Sequence, residues 1–187
     1  MIIGLLGAHR TGKTTLAKAV ASVSGIRYME VKLSAAQRIL GFDSSNQNYS
    51  FKERRTIQEG LLSYMAQLLA ACGHTPTIFD RTPLDLIGYT ISLANANVLD
   101  QEDEEWLKAF IENCHLLTAH YFNYVHLVQP GIPLESNKTS AVAEEGYIRH
   151  LNYIYLGVLA ESSTLKHTVI PAWMTDLQTR VNHVMKY

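Results

Sequence analysis

Near the start of the chain, the residues GAHRTGKTT (Gly7 to Thr15) set two glycines, with four residues between them, ahead of a lysine and two threonines. Glycines free the backbone to turn its N–H groups onto a polyphosphate, a lysine reaches the terminal phosphates, and a hydroxyl directly after it can ligate Mg²⁺. This is the complete phosphate-loop pattern. It assigns Gly7, Ala8, His9, Arg10, Thr11, Gly12, Lys13, Thr14 and Thr15 to ATP binding and Thr14 to the metal. A glycine turn with an exposed lysine is the plain alternative, but a plain turn needs neither the second glycine nor the Lys-Thr pair.

A second group lies in FDRTPLD, Phe79 to Asp85. Asp80 ends an apolar run and can hold a metal-bound water or take a proton from an attacking oxygen, while Arg81 can fork onto phosphate oxygens. Asp85 falls one helical turn further on. Alone, Asp80 reads equally well as a helix cap and Arg81 as a surface ion-pair partner. Beside a phosphate loop the catalytic reading is favoured, with Asp80 as a second metal-organising group.

These groups need elements to position them. Ile2 to Leu6 is an apolar run of strand length, and Thr14 to Val20 changes to helical spacing. Further strands are expected in GIRYMEV, TPTIFD, NYVHLVQP and HTVIPA. Helices are expected in KLSAAQRIL, over Phe51–Cys72 with Ser50 as N-cap, from Pro83 through PLDLIGYTISLAN, over Glu102–Ala119, over Tyr147–Ser162 and over Thr175–Met185. Strands separated by helices predict parallel pairing, hence a three-layer α/β domain over 1–187: five parallel strands with helices on both faces. Ligands of such sheets sit beyond the carboxyl ends of the strands. That rim carries the loop Gly7 to Thr14, then Glu30, Asp80 and Arg81, and the segment after Gln129.

GAHRTGKTTLA, SFKERRTIQEGLLSYM and FDRTPLDLIGY together resemble the small phosphate-loop kinases of nucleosides and nucleotides, including the nicotinamide riboside kinase type and the deoxynucleotide kinases of bacteriophages. The resemblance is closest over the first half of the chain. It implies a phosphate-loop NTPase fold, ATP and Mg²⁺ as cofactors, and Lys13, Asp80 and Arg81 as the catalytic set. It further implies an acceptor pocket formed by Glu30, Arg54, Gln58 and Asp85, with Gln58 reading the base; a solvated helix face is the equal alternative for Arg54 and Gln58. Residues 130–147 fall where such kinases carry a lid, and its cations are Lys138 and Arg149. Relatives often carry several arginines there. The resemblance also places Pro171, Ala172 and Trp173 near the adenine, and allows the helices after Pro83 and Glu102 to pair in a homodimer.

Composition narrows the partners. With 16 basic against 17 acidic residues the net charge is −1, which disfavours a long phosphate-tracking surface for nucleic acid and any general attraction to anionic membranes. The first apolar segment is too short for a membrane span. Cys72 and Cys114 lack metal-ligand spacing and suit buried reduced thiols in a cytoplasmic protein. The reaction predicted is phosphoryl transfer from ATP to a nucleotide. A deoxynucleoside monophosphate is favoured as acceptor because Lys32, Arg38, Lys52, Arg54 and Arg55 cluster before Gln58. Two other readings stand: a kinase acting on a base or end within DNA, and a regulatory NTPase without a small acceptor.

Overall fold

A computed structural model describes residues 1–46, 48–94, 98–133 and 145–187 of the chain. The first strand, β1 (Ile2–Leu6), is buried throughout because it lies at the centre of the sheet. It pairs in parallel with β3 (Thr77–Phe79) on one side and β4 (Tyr124–Val128) on the other. β2 (Arg27–Met29) and β5 (His167–Ile170) close the edges, also in parallel, in the order β2-β3-β1-β4-β5. The loops after β1 and β3 therefore leave the same rim side by side, which brings the phosphate loop to Asp80.

Alternation along β1 separates two cores. Ile3 and Leu5 pack with Leu16, Ala17 and Val20 of α1 (Lys13–Ser24) and with Val181 and Val184 of α7 (Leu177–Val184). Ile2 and Leu6 face the opposite core, built from α3 (Phe51–Cys72), α4 (Pro83–Ala94), α5 (Gln101–Tyr121) and α6 (Glu145–Glu161). Helices thus cover both faces, as the strand-helix alternation requires. α2 (Leu33–Ile39) packs against α3. At Gly4 a Cβ would lie 2.4 Å from Thr82 Cγ2 and 2.8 Å from the Phe122 ring, so glycine lets the turn after β3 close over β1.

Several boundaries differ from those read off the sequence. α1 starts at Lys13 and runs on to Ser24, where Gly25 ends it in the left-handed conformation at φ 74°. β2 is only three residues, since β3, its one neighbour, is itself three residues long. α7 begins at Leu177 because Asp176 caps it, its carboxylate accepting the Thr179 N–H at 2.8 Å. Ser50 caps α3 as expected: its hydroxyl accepts the Glu53 N–H at 3.3 Å, and Glu53 Oε2 accepts the Ser50 N–H at 2.8 Å. Cys72 and Cys114 are buried free thiols. Among the described residues no helix is long and apolar enough to cross a membrane.

β4, β5 and α7 are joined by a partly buried polar chain. His126 is fully buried, its Nδ1 is 3.0 Å from Thr168 Oγ1, and that hydroxyl is 3.1 Å from His183 Nε2. Burial, with a smaller contribution from His183, holds the His126 pKa down at about 3. The unfolded chain takes up this proton near pH 6.5 and the folded chain does not. Stability is therefore complete above pH 6.5 and falls as pH drops from there toward 3. Between pH 7 and 5 the loss from this residue is expected to be about 2 kcal/mol, read as a lower urea midpoint. His126→Asn should flatten that pH dependence, and an unchanged slope would assign it to other groups.

Candidate active site

The phosphate loop is held from beneath by Asp85. This carboxylate is fully buried; it accepts the Gly7 N–H at 3.3 Å through Oδ1 and the Thr82 N–H at 2.7 Å through Oδ2. Its Oδ1 lies 3.8 Å from Lys13 Nζ. Lys13, 6% exposed, also donates to the Gly7 and Ala8 carbonyls, the latter at 2.7 Å. Burial pushes the lysine pKa down and the carboxyl pKa up, and each charge partly offsets the shift of the other. Asp85 is thus turned away from the rim where an acceptor pocket was expected. It sits in the first turn of α4, where it can reach under the loop, and Tyr155 fixes that turn by donating to the Asp85 carbonyl at 3.2 Å.

Asp80 meets the loop from the side. The Thr14 hydroxyl donates to Asp80 Oδ2 at 2.8 Å, the Tyr28 hydroxyl donates to the same oxygen at 2.8 Å, and the Val31 N–H donates to Oδ1 at 2.9 Å. Asp80 is 3% exposed whereas Thr14 lies open at the mouth. A hydroxyl and a carboxylate in contact form a hard oxygen donor set, which suits Mg²⁺, an ion that keeps several waters and takes few protein ligands. No cluster of three or more His, Cys, Asp or Glu able to hold a different kind of metal occurs among the described residues.

Lys13, Thr14, Asp80 and Arg81 line a cleft of about 200 Å³ with His9 and Arg10. Pockets for whole small molecules run from roughly 300 Å³ upward, so this space suits a phosphate tail and leaves the rest of a nucleotide outside. Arg81 is half-buried at the start of the turn that leads into α4. His9 is kept uncharged by burial and by the nearby cations Lys13, Arg81 and Arg10. Arg10 is the one non-glycine at positive φ (62°) among the described residues, a strained setting inside the anion-binding loop. Thr11 is buried, its hydroxyl donating to Ala8 O at 3.1 Å, and Thr15 is exposed.

The other expected site residues divide. Gln58 is 7% exposed, and its buried Oε1 has no hydrogen-bond partner among the described residues. Arg54, one turn earlier on the same side of α3, lies with its guanidinium 5.9 Å from the Tyr49 ring. Glu30 is exposed and paired with Lys32 at 3.5 Å. Arg55 is drawn away to α5, where it pairs with Glu102 at 3.0 Å and Asp103 at 2.8 Å. Arg149 is exposed and bound to Glu145, four residues before it, at 2.7 Å; both line a cleft of about 410 Å³ with Arg10 and Gly131. Lys138 lies outside the described residues. Trp173 is 77% exposed.

Two residues missed in the sequence also belong to this site. Tyr28 supplies a donor to Asp80, and Arg180 of α7 donates from Nη1 to the Thr11 carbonyl at 2.9 Å. Arg180 had one signal: it stands four residues before Val184, on the helix face that packs on the sheet.

A sequence profile of the "ATPase family associated with various cellular activities (AAA)" matches residues 3–63, which contain the phosphate loop. No curated protein matches the chain in sequence. Solved structures do match it in fold. Deoxyadenosine kinase from M. mycoides, with dCMP and dCDP bound, aligns over 100% of this chain and 97% of its own, with a TM-score of 0.73 at 20% identity. Thymidylate kinase from Ehrlichia chaffeensis aligns over 100% and 97%, with a TM-score of 0.63 at 12% identity. NadR, in complex with NAD and AMP-PNP, aligns over 100% of this chain and 49% of its own, with a TM-score of 0.66 at 16% identity. The chain has the phosphate-loop NTPase fold, and the resemblance read from its sequence holds at that level.

Proposed function

We propose that this chain of phosphate-loop NTPase fold is a nucleotide kinase, transferring the terminal phosphoryl group of ATP to a deoxynucleoside monophosphate. The observation that carries the reading is the Thr14–Asp80 contact beside Lys13, which gathers a hydroxyl, a carboxylate and a cation around the cleft of the phosphate loop. Thr14 and Asp80 are the residues that would hold Mg²⁺, whose charge would offset that of the phosphate oxygens. Lys13 and the loop amides hold the donor's tail. Asp80 stands where it can organise water or receive the proton of an attacking oxygen, and Arg81 is aimed at the transferred group. Positioning and charge stabilisation carry most of the catalysis in this chemistry, and this site offers both.

Gln58 is the proposed reader of the acceptor base, because a buried amide oxygen without a partner is satisfied by a ligand donor. Gln58→Ala should reorder preference among bases, measured as kcat/KM across a nucleotide panel. An unchanged order removes Gln58 from the acceptor site.

An uncharged nucleoside is the second reading, favoured by one observation. Of the five cations that argued for a phosphorylated acceptor, Arg55 is paired with Glu102 and Asp103 and Lys32 with Glu30, so the cluster presents less charge than its composition implies. Radiolabelled ATP offered with nucleosides, nucleoside monophosphates and short oligonucleotides decides between them. Label in a nucleoside diphosphate supports the first reading, and label in a monophosphate the second. Hydrolysis that no acceptor accelerates would overturn both.

A further inference from the structure

Arg180 is the largest fully buried side chain in the described part of the molecule, at 1% exposure, and its guanidinium lies against the phosphate loop. Nε donates to the Met174 carbonyl and Nη1 to the Thr11 carbonyl at 2.9 Å, while Nη2 is buried with no partner. No carboxylate pairs with it among the described residues. Burial lowers its pKa, with no acid acting in the other direction. Buried charges are ordinarily paired, so a guanidinium in this state lacks its counter-charge.

Its bond to Thr11 has a directional consequence. The C=O and N–H of a trans peptide point to opposite sides of one plane, so drawing the Thr11 oxygen toward α7 turns the Gly12 N–H the other way, into the loop's concavity. Gly12 has φ 85°, and a Cβ there would lie 2.9 Å from Ile132 Cδ1 and 3.5 Å from Arg180 Nη1. The guanidinium is therefore seated directly against the peptide it orients. The Met174 carbonyl, in the turn after β5, fixes its other end.

We propose that Arg180 is a positioning residue for the donor: it locks the Thr11–Gly12 peptide in the anion-binding orientation, and the bound polyphosphate supplies its missing counter-charge. This rests on the reading that the loop binds ATP. The reading assigned the donor site to residues 7–15, and this extends it to a helix at the far end of the chain.

The test is calorimetric binding of Mg·ATP and of inorganic tripolyphosphate to the wild-type protein and to Arg180→Met, Arg180→Lys and Val184→Ala. Val184 is a fully buried neighbour on α7 and controls for loosening of the helix. Arg180→Met is expected to weaken both probes by roughly tenfold or more, the worth of a hydrogen bond to a charged group. Arg180→Lys should fall between, since an ammonium keeps the charge but not the fork. Val184→Ala should lower the melting temperature with both affinities unchanged. If Arg180→Met does not fold, Arg180→Gln, which removes the charge at similar length, carries the same expectation. A folded neutral variant binding within twofold of wild type overturns the proposal, as does an equal loss in Val184→Ala. Failure of the wild type to bind either probe is a different result, and overturns the donor-site reading together with this extension of it.

Discussion

Lys13→Ala is expected to lower phosphoryl transfer by about 10³-fold or more, since the loop loses its buried cation, the group that the proposed function sets against the donor's terminal phosphates. Stability is also affected, in a way that identifies the partner. With Lys13 gone, Asp85 is a buried carboxylate without its cation, and breaking such a pair costs about 3–5 kcal/mol. In a domain of this size that corresponds to a fall of roughly 10 °C in melting temperature. The sign with pH follows from Asp85, whose folded pKa is already raised by burial and rises further in the variant. Its contribution is intact below the unfolded pKa and lost as pH climbs through the folded one, so Lys13→Ala should be more damaged at pH 7 than at pH 5. Lys13→Ala/Asp85→Asn should lose this part of the pH dependence and remain inactive, with stability recovered only in part because the amide NH2 must face the N–H of Gly7 or of Thr82. Recovery of activity in the double variant would remove Lys13 from the donor site.

Asp80→Asn should cut kcat by about 10²–10³-fold while the affinity for ATP changes by less than tenfold. The carboxylate accepts three hydrogens: from Thr14 and Tyr28 at one oxygen and from Val31 at the other. Asparagine offers a single oxygen, which can keep the Val31 N–H while its NH2 donates to the Thr14 and Tyr28 hydroxyls in reversed bonds, so the fold tolerates the change and the charge is what is lost. Metal organisation and proton acceptance both depend on the charge that is lost. Single-turnover rates set against equilibrium binding make the comparison, and equal losses in the two would reassign Asp80 to binding.

The two groups differ in how far the sequence reveals them. Asp80 is visible because it ends an apolar strand run where a loop must begin, and Lys13 because it closes the glycine loop that leaves the first apolar strand; parallel pairing sends both loops to one rim. The position of Asp85 beneath the loop, though the residue itself reads as part of an acceptor pocket, and that of Arg180 are not visible, because a one-dimensional pattern marks a charged residue as solvent-facing and their burial depends on partners in other elements. Asp85 finds Gly7, 78 residues away, and Arg180 finds Thr11, 169 residues away. Arg55 shows the converse error. Its charge suggested a phosphate, and the fold spends it on Glu102 and Asp103 of α5, with the guanidinium 5.5 Å from the Trp106 ring. The layered α/β architecture was legible because it follows from alternation of periods. Strand β2 was overread because its apolar residues, Tyr28 and Met29, extend little beyond the edge ladder they join.

The central position of β1 has a consequence for how the molecule is made. β1 is synthesised before either of its neighbours and must wait for Thr77–Phe79 and then for Tyr124–Val128 before both its edges are satisfied. Pairings of such separation close slowly, and until they form the apolar ribbon Ile2–Leu6 is open to wrong neighbours. Under the proposed reading, nucleotide capture would thus come late in the life of the nascent polypeptide, and retention on immobilised ATP would select molecules that have finished folding over those still searching.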